Sequence, residues 1–292
     1  MAREARSFVY KVASGCRIEA DVYRREVGQP SPVVVWIHGG ALIAGSRGHL
    51  PAGQRDRYLE AGYHVVSIDY RLAPETKLPA ILDDLADAFR WVREEGPRLF
   101  AADPGRVAAV GHSAGGYLAL MAGVLARPRA VVSFYGYGDI VGAWYSQPDP
   151  HYCQQPRVSE EEARASVGGP PLSGSDWGLG RERFYLYCRQ QGRWPLEVGG
   201  RDPHREPEAF ALWCPVRNVT TDYPPTMLLH GDQDADVPYQ QSELMAAALS
   251  RAGVPHELVT IQGGGHGFDH DLRDPTVASA FDRVLAFLAG HV

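Results

Sequence analysis

The sequence has 292 residues, 45% of them hydrophobic and 22% charged, which is ordinary for a globular protein and excludes a disordered chain. The formal net charge is -6, and no run of lysine or arginine forms the positive stripe that binds a phosphate backbone, which argues against a nucleic-acid partner. No apolar run reaches the roughly 18 residues that span a bilayer, so we expect no membrane partner.

The cysteines and the first residues indicate the compartment. The stretch Met1–Arg6 is charged and lacks the apolar segment of a signal peptide, which predicts a cytoplasmic protein. A chain of this length has enough core to fold without disulfides, so we expect reduced thiols. None of the cysteines has the close paired spacing of a zinc site: Cys16, Cys153, Cys188 and Cys214.

The first predicted elements form a hairpin and are followed by short apolar runs. Apolar and polar residues alternate in Ser7–Ala13 and Arg17–Arg24, which predicts an antiparallel hairpin at a sheet edge. The later runs are β-branched or aliphatic and apolar on both faces, as buried parallel strands are. These runs are Val33–Ile37, Val65–Ile68, Val107–Val110, Val131–Phe134, Thr226–Leu229 and Leu258–Ile261.

Segments with helical periodicity separate the apolar runs, most clearly around Ile81–Val92, Leu118–Leu125 and Val277–Leu288. Strand alternating with helix predicts a doubly wound, mostly parallel α/β sheet. Reactive groups in such a sheet lie on the loops that leave the carboxyl ends of the strands. Each candidate site residue can therefore be judged by its position after a strand.

Residues 140–223 interrupt this alternation and are too long for a structureless loop. Ser159 and Glu162 fit a capping box at the start of a short helix, and Glu182–Gln191 predicts another helix. We therefore predict a main domain of residues 1–139 and 224–292, with a helical cap at 140–223 inserted between two strands. Aromatic residues of this cap form either its own core or part of a pocket: Trp144, Trp177, Tyr185, Tyr187, Trp194 and Trp213.

Ser113 is the predicted nucleophile. It is the serine of Gly111-His112-Ser113-Ala114-Gly115, which matches the pattern G-x-S-x-G between a predicted strand and a predicted helix. A sharp strand-to-helix turn exposes the serine hydroxyl and places it near the N–H groups of the helix N-terminus. The alternative is a glycine-rich turn that serves packing only.

His266 is the predicted base, because a serine hydroxyl is a poor nucleophile until a histidine removes its proton. The chain order of this arrangement places the histidine after the last strand, and His266 directly follows Leu258–Ile261 in a glycine-rich loop. Two other histidines are less suitable, because His256 begins the strand and His270 enters the final helix.

Three carboxylates that follow Thr226–Leu229 compete to orient the histidine: Asp232, Asp234 and Asp236. Distance from the strand end favours Asp234, whereas Asp232 is better placed to brace the turn through backbone N–H groups. Pro238 restricts the residue before it and places Asp236 in the lead-in to the next helix. Asp236 remains the rival of Asp234.

An oxyanion formed at the reacting carbonyl needs preorganised donors. The loop His38-Gly39-Gly40-Ala41 ends the strand Val33–Ile37, and its glycines allow backbone N–H groups to point inward, beside the N–H of Ala114. We interpret His38 as a structural hydrogen-bonding residue rather than a catalytic one.

Together these motifs resemble the hormone-sensitive-lipase-like esterases of the α/β-hydrolase superfamily: His38-Gly39-Gly40-Ala41, Asp69-Tyr70-Arg71-Leu72-Ala73-Pro74-Glu75 and Gly111-His112-Ser113-Ala114-Gly115-Gly116. The resemblance covers about two-thirds of the chain and makes the main domain an α/β-hydrolase catalytic domain. It implies that Gly40 and Ala41 donate the oxyanion N–H groups, although Ala41 replaces the usual third glycine. We interpret Asp69–Glu75 as scaffold, with Asp69 and Arg71 paired under the oxyanion loop.

The sequence departs from that family in two places. Only some 32 residues precede the His-Gly-Gly strand, where these esterases usually carry an N-terminal cap. The segment His230–Pro238 looks more like the prolyl-oligopeptidase and dienelactone-hydrolase branches of the superfamily. The substrate class is therefore not carried over from the resemblance.

The combined prediction is hydrolysis of carboxylic esters, with short to medium acyl chains, through a Ser-His-Asp acyl-enzyme mechanism. The alternatives are an amidase or peptidase with the same residues, and a non-catalytic homologue that binds small molecules. No cofactor or metal is expected, because the activated serine supplies the nucleophile. The expected partner is a small-molecule ester, and a homodimer stays open.

Overall fold

The strands of the structure coincide with the apolar runs of the sequence. The computed structural model describes residues 4–25, 29–177 and 180–292, which contain one sheet of eight strands. In chain order these are β1 (Arg6–Ala13), β2 (Cys16–Tyr23), β3 (Ser31–Ile37), β4 (His64–Ile68), β5 (Ala102–His112), β6 (Ala130–Phe134), β7 (Thr226–Gly231) and β8 (His256–Ile261).

The strand order in the sheet is β1-β2-β4-β3-β5-β6-β7-β8. The pairs β1/β2 and β2/β4 are antiparallel, and all other neighbouring strands are parallel. The predicted fold class, a mostly parallel α/β sheet with a hairpin at its edge, is confirmed. The loops after β3, β5, β7 and β8 consequently leave the sheet on the same side.

Helices separate most of the strands, and three of them cover the segments whose periodicity predicts a helix. The helices are α1 (Ala52–Glu60), α2 (Leu78–Glu94), α3 (Gly96–Phe100), α4 (Ala114–Leu125), α5 (Ala143–Ser146), α6 (Glu160–Arg164), α7 (Arg181–Gln191), α8 (Trp194–Gly199), α9 (Gln240–Arg251) and α10 (Pro275–His291). Within the described ranges, each helix is too short or too polar to traverse a bilayer.

The two faces of the sheet carry separate hydrophobic cores. Alternate residues of β3 point to opposite faces, so that Val33 and Val35 join one core and Val34 and Trp36 join the other. The first core packs against α2, α4 and α9, and the second packs against α1 and α10. Helices on both faces are the arrangement expected of a doubly wound sheet.

Helices α5–α8 lie between β6 and β7, in the segment predicted to be a cap. The predicted capping box is present at α6, where Ser159 and Glu162 bond to each other's backbone N–H groups. Aromatic rings of this segment continue the first core, since Tyr145 stacks on Trp194 with 4.2 Å between the ring centroids. The domain boundaries at residues 140 and 223 stay a prediction.

The predicted pairing of Asp69 with Arg71 is wrong. Asp69 accepts hydrogen bonds from the backbone N–H and the guanidinium of Arg47. Arg71 instead binds both carboxylate oxygens of Asp84 on α2, each at 2.7 Å. Each buried charge finds its partner on a different element, and closeness in sequence does not reveal such partners.

Candidate active site

Ser113 lies in the turn between β5 and α4, as predicted. Its φ and ψ of 56° and -120° are a strained combination for a residue with a side chain. The turn requires glycine on both sides, because a Cβ at Gly111 would collide with the carbonyl oxygen of Gly115. A Cβ at Gly115 would in turn collide with the carbonyl oxygen of Ile37. Ser113 is thus held directly before the first turn of α4.

The loops after β7 and β8 bring Asp234 and His266 together. Gly263 N donates to Asp232 Oδ1 at 2.7 Å, so Asp232 braces the neighbouring loop rather than its own turn. His266 Nδ1 lies 2.7 Å from Asp234 Oδ2, within hydrogen-bond distance. Of the three carboxylates in the loop after β7, Asp234 is the one that contacts Nδ1.

The Asp234 carboxylate is fully buried and surrounded by donors. Its Oδ1 accepts the N–H groups of Asp236 at 2.8 Å and Val237 at 2.9 Å. Burial alone would raise the pKa of this carboxyl, but hydrogen bonds from His230, His266 and Val237 hold it well below its usual range. Asp234 is therefore ionised and can orient the imidazole of His266.

The imidazole of His266 lies between two carboxylates. Nδ1 contacts Asp234, whereas Nε2 lies 3.5 Å from Oδ2 of Asp236. Burial alone would lower the pKa of His266, but the hydrogen bond to Asp234 and the charge of Asp236 raise it above its ordinary value. Tyr135 packs against the ring with 4.6 Å between centroids. His266 shares its cavity with Ser113, and within the described residues the two side chains form no direct hydrogen bond.

The loop after β3 presents backbone N–H groups. Gly40 and Ala41 both have positive φ, 106° and 55°, and the loop closes through a hydrogen bond from Ala44 N to Gly40 O at 2.9 Å. No acceptor in the described part of the chain takes up the N–H of Gly40, Ala41 or Ala114. Trp194 of α8 donates to the carbonyl oxygen of Ala41 at 2.9 Å, which fixes the loop from the cap side.

His38 is buried beside this loop and stacks on Tyr70, with 4.2 Å between the ring centroids. Its Nδ1 lies 2.7 Å from the carbonyl oxygen of Gly39. Burial lowers the pKa of His38 to about 3, so the ring is neutral. These contacts fit the structural role that the sequence analysis gives to His38.

A cavity of about 290 Å³ opens over these groups. Ser113, His266, Gly40 and Ala41 line it, whereas Ala114 is buried and does not. The structure therefore brings the predicted nucleophile, base, acid and oxyanion loop to one place. Asp236, the predicted rival of Asp234, also lines the cavity.

The aromatic residues of the predicted cap divide between the two roles left open by the sequence. Trp177 and Tyr185 line the cavity. Trp194 is fully buried and belongs to the core. Trp144 stacks on Tyr145, with 3.6 Å between ring centroids, and also packs against that core.

Asp269 is a site residue that the sequence analysis missed. Its carboxylate is buried and accepts hydrogen bonds from Tyr135 Oη and Gln54 Nε2, each at 2.6 Å. His112 Nε2 lies 2.9 Å from the same carboxylate, and His112 directly precedes Ser113. The sequence offers one signal, a carboxylate three residues after His266, but none that identifies its distant partners.

Residues 34–270 match the model of a protein family whose description is the alpha/beta hydrolase fold. The chain belongs to this family. The match confirms the resemblance drawn from the motifs. Ser113, Asp234 and His266 lie on loops that follow β5, β7 and β8.

Esterases occur among the relatives of this α/β-hydrolase. The esterase LipC of Mycobacterium tuberculosis is 30% identical over 260 residues, which cover 85% of this chain and 56% of LipC. The non-reducing polyketide synthase ausA of Aspergillus calidoustus is 29% identical over 316 residues, covering 89% of this chain. The chain spans 13% of the length of that synthase. A solved esterase from Pyrobaculum calidifontis has a TM-score of 0.74 at 25% identity, covering 99% of this chain and 86% of the esterase.

Proposed function

We propose that this α/β-hydrolase is a serine carboxylesterase that hydrolyses small esters through an acyl-enzyme intermediate. The observation that carries the proposal is the 2.7 Å contact between the buried Asp234 and His266, which lines the same cavity as Ser113. An ionised carboxylate on Nδ1 leaves Nε2 as the nitrogen that accepts a proton. The esterases among the relatives and structural neighbours support the same reaction class.

In the proposed acylation step, Ser113 Oγ attacks the ester carbonyl carbon while His266 Nε2 accepts the hydroxyl proton. Asp234 stabilises the imidazolium that forms. The proposed donors for the oxyanion are the unused N–H groups of Gly40 and Ala41, which line the cavity, together with the N–H of Ala114, the residue after the nucleophile. The imidazolium then protonates the alcohol oxygen, the carbon–oxygen bond breaks and the alcohol leaves.

Deacylation repeats the same chemistry with water. His266 Nε2 accepts a proton from water, which attacks the acyl-Ser113 ester, and the proton passes to Oγ as the carboxylic acid leaves. The separation of Ser113 and His266 before substrate binds is compatible with this role, because catalytic hydrogen bonds often tighten only in the substrate complex. The cavity lies at the small end of the range for ligand sites, which favours short to medium acyl chains.

A fluorophosphonate probe followed by peptide mapping tests whether Ser113 is the activated serine. We expect stoichiometric labelling at Ser113, no labelling of Ser113→Ala, and unchanged labelling of Ser250→Ala, in which an exposed serine of α9 is replaced. Rates on p-nitrophenyl acetate and p-nitroacetanilide then separate an esterase from an amidase. Labelling elsewhere, or faster anilide hydrolysis, would contradict the proposal.

A further inference from the structure

Asp236 is a carboxylate of the cavity wall that the proposed mechanism does not use. Its Oδ1 accepts hydrogen bonds from Tyr152 Oη at 2.7 Å and from Tyr185 Oη at 2.6 Å. Arg189 Nη1 donates to the same oxygen at 2.6 Å. Three donors on one oxygen fix the orientation of the carboxylate.

The second oxygen of Asp236 is available to the cavity. Among the described residues no hydrogen bond to Oδ2 is formed, and His266 Nε2 lies 3.5 Å from it, which is too far for a strong hydrogen bond. Burial alone would raise the pKa of Asp236, but the charges of His266 and Arg189 hold it below its usual range. The cavity wall therefore carries an ionised carboxylate whose orientation is fixed and whose Oδ2 accepts no hydrogen bond from the described residues.

The charge of Asp236 is only partly balanced. Arg189 also binds Asp149, with 2.6 Å between Nη2 and Oδ2, so one cation serves two carboxylates. In the described part of the chain, neither lysine nor arginine lines the cavity. A carboxylate that shares its arginine with a second carboxylate favours a positively charged ligand.

The position of Asp236 indicates which half of an ester reaches it. In the proposed mechanism, His266 Nε2 hands its proton to the oxygen of the leaving alcohol, and Asp236 Oδ2 lies 3.5 Å from that nitrogen. The alcohol half therefore passes beside Asp236. Trp177 and Tyr185 line the same cavity, and aromatic rings attract cations.

We propose that the cavity selects esters whose alcohol half carries a protonated amine, which donates an N–H to Asp236 Oδ2. This inference rests on the proposed function, because the position of the alcohol half is inferred from the proton transfer between His266 Nε2 and the leaving alcohol. It names a substrate class, esters of amino alcohols, rather than an individual compound.

Two isosteric substrates test the inference on the unmodified protein. The ester 2-(dimethylamino)ethyl acetate is protonated at pH 7, and 3-methylbutyl acetate has the same shape with carbon in place of the charged nitrogen. We expect kcat/KM to favour the amine by about tenfold or more, the size of a charge-assisted hydrogen bond, and to weaken with added salt. A third ester, 3-hydroxy-3-methylbutyl acetate, shows whether a neutral donor suffices. Preference for this hydroxyl ester over the amine would overturn the inference.

Variants identify the carboxylate that is responsible. In Asp236→Asn the ratio of kcat/KM for the amine to that for the isostere should fall to about one, whatever happens to the absolute rates. Asp176→Asn is the matched control, because it removes the same charge from an exposed side chain that contacts the cavity residue His49 at 3.1 Å. Its ratio should stay at the wild-type value. Thermal unfolding of both variants shows that each is folded.

The outcomes separate this inference from the proposed function. Equal rates on the amine and the isostere, both dependent on Ser113, would overturn the amine preference and leave the esterase standing. A preference that survives Asp236→Asn would also overturn it, because the selectivity would then come from other groups. Absence of hydrolysis of all three esters, together with absence of fluorophosphonate labelling, would overturn both proposals.

Discussion

Asp234 and Asp236 are two residues apart, yet they face opposite nitrogens of His266. Asp234 is fully buried on the Nδ1 side and accepts two backbone N–H groups of its own loop. Asp236 lies on the Nε2 side and is held by Arg189 and two tyrosines. The first arrangement fixes the tautomer of the histidine, and the second places a charge beside the nitrogen that moves the proton.

Replacing the two carboxylates should therefore have different effects on a neutral ester. Asp234→Asn favours the wrong tautomer of His266, and we expect kcat to fall by about 10⁴, as in the trypsin case of the same substitution. In Asp236→Asn the fall should be much smaller, and the acidic limb of the kcat/KM profile should shift to lower pH. The shift follows because the charge of Asp236 raises the pKa of His266, and a protonated imidazole is inactive as a base.

Asp232→Asn is the control for these measurements, because it makes the same chemical change in the same loop. Asp232 accepts from Gly263 N, and asparagine keeps an oxygen for that hydrogen bond. We expect its kcat and acidic limb to match the wild type. If Asp236→Asn lost more activity than Asp234→Asn, the acid would be Asp236.

At the scale of single residues, the sequence predicts which side chains lie on the loops after the strands. It does not predict the distant residues that hold those side chains in place. Ser113, His266 and Asp234 could be chosen because each follows an apolar run in a fixed chain order. The contacts of Asp236 with Arg189 could not, because the two residues are 47 positions apart and no local pattern relates them. The pairing of Asp69 with Arg71 fails for the same reason.

At the scale of elements, a buried charge pair links the helices between β6 and β7 to the rest of the fold. Arg181, the first residue of α7, binds Glu75 Oε2 at 2.7 Å, and both side chains are almost fully buried. The same guanidinium donates from Nε to the carbonyl oxygen of Ile43 at 2.6 Å. One side chain thus links α7, the motif ending at Glu75 and the loop that carries Gly40 and Ala41.

Removing this guanidinium should destabilise the protein strongly. In Arg181→Met, Glu75 loses its counter-charge while it remains buried, a loss that typically costs about 3–5 kcal/mol. Urea unfolding measures the change in the free energy of unfolding. Adding Glu75→Gln in the same chain should recover part of the loss, because the stranded charge is then removed.

The exposed pair of Arg98 and Glu95 is the control for this prediction. Its N–O distance is also 2.7 Å, but both side chains are largely in solvent. Arg98→Met should change the free energy of unfolding by less than about 1 kcal/mol. Equal losses of unfolding free energy in Arg98→Met and Arg181→Met would show that burial does not determine how much such a pair contributes to stability.

At the scale of the whole molecule, the sheet class was predictable but the strand order was not. Apolar runs such as Val33–Ile37 identify buried parallel strands, because period and composition are local properties. The order that places β4 between β2 and β3 depends on which long-range contacts bury the most surface. The way in which the inserted helices attach to the sheet also depends on long-range contacts. For these helices the sequence shows only the capping box of α6 and the aromatic residues.

The fold also buries neutral histidines, which makes its stability depend on pH. Burial lowers the pKa of His38 to about 3 and that of His64 to about 4. The unfolded chain binds these protons near pH 6.5, so it holds more protons than the folded protein below that pH. The free energy of unfolding should therefore fall as the pH drops from about 6.5 towards 4, by about 1.4 kcal/mol per pH unit for each histidine.

Urea unfolding at pH 7, 5.5 and 4.5 checks this slope. His64→Gln should reduce the slope of the unfolding free energy against pH by the contribution of one histidine, because glutamine does not titrate. His151→Gln, in which an exposed histidine is replaced, is the control and should keep the wild-type slope. An unchanged slope in His64→Gln would contradict the assignment of the buried neutral ring.

The most direct test of the account is kcat for ester hydrolysis by Ser113→Ala, His266→Ala and the double variant, each shown to be folded. Because the two residues act as one unit, each single substitution should lower kcat by several orders of magnitude, and the double variant should be scarcely worse than either. A loss of less than about tenfold in either single variant, or losses that multiply in the double variant, would contradict the account.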